Sequence, residues 1–274
     1  MPEILRQIVP FLCAALFVLG FERAARRRGL EPPGFRQPAR RLIGLGGLAL
    51  GLAITVFAPL GAVGAPTPEL ADFAAVRPWQ LFAVHLVLLA STIVWYSSGY
   101  AGSGARWTTQ LGFGGRRPGS ELALGVAVGI AAWLVVLAAT FLIASLVTAV
   151  GGDGLVPDRP PAAVVWLVSQ GVLLRIGLAV SAGVFEEVFF RGLLQPRVGL
   201  LASTGLFALA HLSYGQPFML VGITCLSLLY GLLVRWRQSL WAAVAAHALF
   251  DLVQLLVVVP SVLERFGGFF PEGP

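Results

Sequence analysis

Residues 122–150 read LALGVAVGIAAWLVVLAATFLIASLVTAV, with no charge anywhere in the run. At about 1.5 Å of rise per residue, a helix of that length exceeds the ~30 Å hydrocarbon core of a bilayer. A strand or a buried soluble helix needs far less apolar sequence. Working outward, the same pattern recurs along the chain. The predicted helices run Ile8–Phe21, Leu42–Ala65, Trp79–Ser97, Leu122–Val150, Ala162–Phe190, Leu200–Leu212, Phe218–Val234 and Leu240–Val259. The sixth is short, and the fifth is long enough, and polar enough, to be two pieces. The predicted fold is all-α, a polytopic transmembrane bundle of about eight spans.

Composition agrees. The chain of 274 residues is 57% apolar and 12% charged, about half the charge of a soluble domain. Its net charge is +6 and every basic residue is arginine. The arginines do not gather on a recognition face, so no nucleic-acid partner is expected. Cys13 and Cys225 fall in apolar segments and imply no disulfide framework. The first run is followed, not preceded, by most of its arginines, which is the wrong polarity for a cleaved signal. It reads as a retained anchor.

The arginines also orient the bundle. The first connection carries Arg23, Arg26, Arg27, Arg28, Arg36, Arg40 and Arg41, the third Arg106, Arg116 and Arg117, the fifth Arg191 and Arg197, and the seventh Arg235 and Arg237. The even connections hold only Arg77 and Arg159, beside Glu69, Asp72, Asp153 and Asp158. This alternation predicts eight spans with the odd connections cytoplasmic and both termini on the other side. Gly47/Gly51 and Gly125/Gly129 have the small-xxx-small spacing of close helix packing.

Ionisable residues at membrane depth are costly and each needs a reason. His85, alone in the first four spans, reads as a hydrogen-bonded structural histidine. Arg175 reads as snorkelling or as marking a break. The others cluster: Glu186, Glu187 and Arg191 in the fifth helix, His211 at the end of the sixth, His247 and Asp251 in the eighth. Glu187 and Arg191 are four apart and can pair; Glu186 is rotated about 100° away and stays available. His247 and Asp251 share a face, as do Phe207 and His211. Counting at about 1.5 Å per residue puts all three sets at one level, in the half of the bilayer nearer the arginines. An ion-paired packing network would account for Glu187 with Arg191, but less well for two glutamates facing two histidines. A desolvated carboxylate there suits proton transfer.

Other intramembrane chemistries fit poorly. No His-Glu-x-x-His zinc motif occurs, Ser103 lies in a polar loop, and the stretch Gly151 to Gly154 lacks a second aspartate partner. The order Glu-Glu-x-x-x-Arg, Phe-x-x-x-His, His-x-x-x-(Asn/Asp), over about Ala182 to Leu255, resembles the CPBP family, also called the ABI or CAAX-protease-like family. It includes the type II CAAX prenyl endopeptidases and bacteriocin-processing or self-immunity proteins. The resemblance implies an intramembrane peptidase with Glu186 as general base, His211 helping to hold water, His247 with residue 251 at the oxyanion, and Glu187 with Arg191 completing the network. Asp251 departs from the asparagine of the prenyl endopeptidases, and an ionised carboxylate cannot donate to an oxyanion. Glu186, His211, His247 and Asp251 would also suit zinc, although resemblance to the prenyl endopeptidases favours a metal-free mechanism.

The expected organisation is an N-terminal part, 1–121, without motif, a catalytic core, 122–260, and a tail, 261–274. The expected substrate is a membrane-associated or lipidated protein or peptide, cut near its C-terminus. The expected location is a bacterial plasma membrane, with the site in the cytoplasmic half of the bilayer. The alternatives are a proton-coupled transporter and an inactive immunity or binding protein.

Overall fold

A computed structural model describes residues 3–64, 66, 68–77, 79–114, 117–157, 160–216 and 218–266. The expected charges of Arg116, Asp158 and Arg159 and the end of the expected tail, 267–274, lie outside the described residues. The principal helices are α1 (Glu3–Arg27), α2 (Pro38–Leu52), α3 (Trp79–Tyr100), α4 (Pro118–Ala149), α5 (Ala162–Val168), α6 (Val172–Glu186), α7 (Leu200–Ala210), α8 (Met219–Arg237) and α9 (Trp241–Val253). Among the described residues none is in a strand. Proline at the first helical position opens α2 and α4, where its missing N–H has no intrahelical partner to lose.

Three helices run on past a π-helical stretch. α2 continues through Ala53–Phe57, α6 through Glu187–Leu194 into Gln195–Val198, and α9 through Gln254–Val258 into Val259–Phe266. Among the described residues six continuous helices are long and apolar enough to cross a membrane. Of the other two spans expected from sequence, Ala162–Phe190 falls on 162–168 and on 172–198, which carries Arg175, Glu186, Glu187, Arg191 and Arg197, and Leu200–Leu212 on the short apolar helix Leu200–Tyr214. The chain is an integral membrane protein by its architecture. Its outer surface is apolar, with Leu134 71% and Phe141 72% exposed. In water such a surface would be a large liability, and against lipid it is the ordinary solution.

Several sequence boundaries are corrected. α1 is longer than Ile8–Phe21 at both ends. The expected fifth helix is indeed two pieces, broken at Ser169–Gly171 between α5 and α6. The last helix passes Val259 to reach Phe266, so the start of the expected tail is helical.

The odd connections meet at one end of the bundle. Arg28 donates to the carbonyl of Pro196 at 2.9 Å, Arg40 to that of Ala101 at 3.0 Å, and Leu240 N–H to Gly112 at 2.9 Å. Arg237 forms a fork with Glu121, at 2.6 Å and 3.2 Å. Glu22, buried at the same end of α1, pairs with Arg41 and with Arg26. At the opposite end Phe73 of the second connection stacks on Trp166 of α5, with ring centroids 5.6 Å apart. The arginines therefore mark one face of the molecule, as their alternation predicts.

The glycine pairs pack as their spacing predicts. A Cβ on Gly125 would lie 2.3 Å from the Ala242 carbonyl oxygen, and one on Gly129 2.8 Å from that of Ala246. α4 thus presses directly on α9. Gly47 and Gly51 admit Val94 and Ser91 of α3 in the same way. From the other side Gly183 of α6 meets the backbone of Ala248, 2.7 Å from its would-be Cβ. α9 is wedged between α4 and α6, which fixes the depth of His247 and Asp251. Without a hydrophobic drive between helices in lipid, this close van der Waals contact is what holds them.

Candidate functional site

The site is built where α6 becomes π-helical. Glu186 is the last residue of α6 and Glu187 the first of the π-helical stretch. A π-helical turn leaves backbone groups without their usual partners, and such turns recur at functional sites. Here the Phe190 carbonyl accepts from Gln195 N–H and also from the Ser203 hydroxyl of α7, at 2.8 Å. The α6–α7 turn passes through Gly199 at φ 92°, a left-handed conformation open to glycine at little cost. These contacts set the two helices against each other.

Glu187 is fully buried and holds two cations. Its Oε1 lies 3.1 Å from Arg191 Nη1 and 2.8 Å from His247 Nδ1. Arg191, also buried, reaches the Ser227 hydroxyl of α8 at 3.1 Å and lies over the Phe207 ring at 4.4 Å. His247 presents its other nitrogen, Nε2, to Asp251 at 3.5 Å. One imidazole thus sits between two carboxylates, with Tyr230 stacked on it at 5.2 Å. Both ring nitrogens can face acceptors at once only if both carry hydrogen, so this geometry favours the imidazolium.

His211 follows the last residue of α7. Its Nδ1 donates to the Phe207 carbonyl at 2.7 Å, which leaves Nε2 with a lone pair when the ring is neutral. Phe207 contacts it at 4.7 Å between ring centroids and reaches His247 at 6.0 Å. The expected apolar wall beside the histidine is present, and it joins the two imidazoles.

Glu186 turns away from this line toward α3. Its Oε1 is 3.4 Å from His85 Nε2, and His85 Nδ1 lies 2.8 Å from the Ser181 hydroxyl. That hydroxyl donates to the Leu178 carbonyl, so it accepts from Nδ1–H, and the Nε2 that faces Glu186 binds it only with a shared proton. The reading of His85 as a solitary structural residue is therefore corrected: it is hydrogen-bonded as expected, but it also belongs to the site. Sequence spacing could not reveal this, because His85 and Glu186 lie on distant segments with no common period. The one available signal was its rarity as an ionisable residue at membrane depth. The second oxygen of Glu186, Oε2, is buried with no hydrogen-bond partner among the described residues, as is Oε2 of Glu187.

Arg175 neither snorkels nor merely marks the break in the fifth helix. It donates to the Leu255 carbonyl at 2.9 Å, within the π-helical stretch of the last helix. The site is sealed on one side and open on the other. The Glu187 and Arg191 side chains are 0% and 1% exposed, whereas that of Asp251 is 28% exposed and His211 is half-buried.

Among the described residues no three His, Cys, Asp or Glu side chains converge to hold an ion, so the suggested set of Glu186, His211, His247 and Asp251 is not assembled as a zinc site.

Residues 165–253 match a protein family described as type II CAAX prenyl endopeptidase, Rce1-like. The chain is also similar to an uncharacterized protein of Bacillus subtilis (strain 168), YpbD, at 36% identity over 69 residues. That likeness covers 25% of this chain and spans about a third, 36%, of the length of the relative. No solved structure matches. The matched segment contains Glu186, Glu187, Arg191, His211, His247 and Asp251, and excludes His85.

Proposed function

We propose that this chain is an intramembrane endopeptidase that hydrolyses a peptide bond near the C-terminus of a membrane-associated or lipidated protein, a reading supported by the match of residues 165–253 to the Rce1-like family of type II CAAX prenyl endopeptidases. The observation that carries the reading is Glu186 Oε2, a buried carboxylate oxygen without a hydrogen-bond partner among the described residues, on a side chain whose other oxygen faces His85 at 3.4 Å. It is where an attacking water would bind.

Glu186 takes a proton from that water as the oxygen attacks the scissile carbonyl carbon. His211 Nε2 accepts from the same water and aims it. The carbonyl oxygen gains the electron pair and accepts from His247 Nε2–H, which lies 3.5 Å from Asp251 while Glu187 holds Nδ1–H at 2.8 Å. This accounts for aspartate at position 251, which supplies charge to the imidazole and need not itself donate. When the C–N bond breaks, the departing nitrogen takes the proton from Glu186. His85, bridging Ser181 and Glu186, is a positioning residue that fixes Oε1 and leaves Oε2 for the water. The catalytic unit is 122–260 with α3 added to it. The arginine-rich end faces the cytoplasm of a bacterial cell, and the site lies in that half of the membrane.

The test is cleavage of a prenylated CAAX-type peptide by the full-length protein in liposomes. Glu186→Gln is expected to lose activity by about 10²–10⁴-fold, the usual size of a general-base contribution, with unchanged melting. Cleavage by this variant at the wild-type rate would remove Glu186 from its role. Failure of the wild type to cut the prenylated peptide, while cutting an unprenylated membrane peptide, would remove the substrate class and leave the mechanism.

A further inference from the structure

At the arginine-rich end a cavity of about 490 Å³ opens between α1, the α6–α7 turn and the end of α8, with Arg191 and Gly192 also in its lining. That volume is in the range of small-ligand sites, roughly 300–1,000 Å³. Arg28 and Arg235 stand at its rim, with Gln110 and Gln238 beside them. No carboxylate lines it among the described residues. Neither arginine pairs with a carboxylate among the described residues, although Arg26, Arg41, Arg191 and Arg237 all do. Arg28 donates to the Pro196 carbonyl, but neither arginine facing this hollow has a carboxylate among the described residues to balance its charge.

The backbone adds to this positive character. Gly199, which has no side chain to cap α7, lines the same cavity together with Leu200. The first N–H groups of an uncapped helix are donors awaiting an acceptor. The Arg28 guanidinium lies over this point, its Nη2 3.3 Å from where a Gly199 Cβ would be.

A second hollow, of about 460 Å³, shares Arg28 and is lined otherwise by Gly20, Arg23, Ala24 and Arg27. It lies on α1, where small residues leave a groove below the arginines. Leu16, Gly20, Arg23 and Arg27 follow helical spacing and fall on one face. Leu16 and Leu19 there are 70% and 51% exposed. The face therefore passes from apolar surface to groove to arginine, the order of polarity in a phospholipid from acyl chain to headgroup. Basic pockets between transmembrane helices are known to take anionic headgroups.

We propose that these two hollows, which share Arg28, bind an anionic phospholipid, its phosphate between Arg28 and Arg235 at the start of α7 and its acyl chains along α1. A free phosphate would satisfy the arginines alone, but would leave the apolar face and its groove unexplained. The site is separate from the peptidase reading and stands whether or not the chain cleaves anything.

The experiment is native mass spectrometry of the full-length protein, released from detergent after titration with phosphatidylglycerol or phosphatidylcholine. Wild type should retain phosphatidylglycerol at lower concentration than phosphatidylcholine. The Arg28→Gln/Arg235→Gln double variant should weaken that retention by about tenfold or more, since each arginine near such a headgroup contributes appreciably. Because Arg28 also holds Pro196, Arg235→Gln alone, at an exposed position, should weaken it by a smaller measurable factor with unchanged melting. Arg36→Gln, on the same end but outside both hollows, should bind as wild type. Equal retention of the two lipids, or an equal loss in Arg36→Gln, would reduce the effect to general surface charge and overturn the site. Displacement of the lipid by millimolar inorganic phosphate would overturn the assignment to lipid in favour of a soluble anion.

Discussion

Asp251 lies 3.5 Å from His247 Nε2, where the prenyl endopeptidases it resembles carry an amide. An asparagine there could still bond the imidazole but would remove one of the two negative charges that hold it cationic. Asp251→Asn is therefore expected to lower kcat by about tenfold, equivalent to ~1.4 kcal/mol in the barrier, with little change in KM. A rise in kcat would mean that direct donation to the oxyanion outweighs charging of the ring. His85→Phe should also lower kcat about tenfold without moving KM, because misplacing a reacting group costs rate before it costs binding. His85→Gln, which can still bond Glu186, should recover part of the loss. A purely structural His85 would change melting and leave the kinetic split untouched. At this scale the sequence exposed Glu186, Glu187, Arg191, His211, His247 and Asp251, because polar residues in apolar helices stand out and their i,i+4 spacings are local. It concealed the partner of Glu186, since a contact between residues 85 and 186 leaves no periodic trace.

The helix containing Glu186 and Glu187 carries a buried ion pair whose members reach His247 and Ser227 on neighbouring helices, and it meets α9 by close backbone contact at Gly183; each gives a different expectation. Arg191→Met would leave Glu187 buried with a single cation. Stability should fall by roughly 3–5 kcal/mol, the range for stranding one member of a buried pair. Glu187→Leu combined with Arg191→Met should recover most of it in a denaturation assay while leaving the protein inactive. Gly183→Leu should push α6 from Ala248 and lower melting and activity together, whereas Gly46→Ala, with nothing within 4 Å of its Cβ, should change neither. A Gly183 variant with wild-type melting would show that α9 shifts without cost. Helix number and glycine packing were legible because apolar runs and small-residue spacing are properties of one segment. The π-helical stretches were not. They arise where carbonyls such as those of Phe190 and Leu255 find donors on other helices, in Ser203 and Arg175, and no α-helical period announces them.

The whole molecule gathers its arginines at one end, and the membrane potential and lipid charge act on that end as a unit. With Cys13 and Cys225 replaced, Asp72→Cys should react with an impermeant maleimide in intact cells. Arg36→Cys should react only after permeabilisation. The reverse pattern would invert the orientation and place the site in the other half of the bilayer. The alternation of arginines made the two ends legible from sequence, since charge bias depends only on counting. Which end the site opens toward was not legible, because exposure at Asp251 and closure at Glu187 depend on how α8 and α9 lean together.

Family likeness over 165–253 can carry Glu186, His211 and His247 from one chain to the next, but the residue opposite Glu186 Oε1 comes from α3, outside that stretch. Descent can therefore alter the neighbour of Glu186 while leaving the recognisable segment intact. Two homologues alike throughout their C-terminal halves would then differ in turnover by whatever their third helices supply. Grafting 165–253 onto a foreign N-terminal half would transmit the ancestry and lose the rate, whereas co-expressing residues 1–115 with 116–274 would return both.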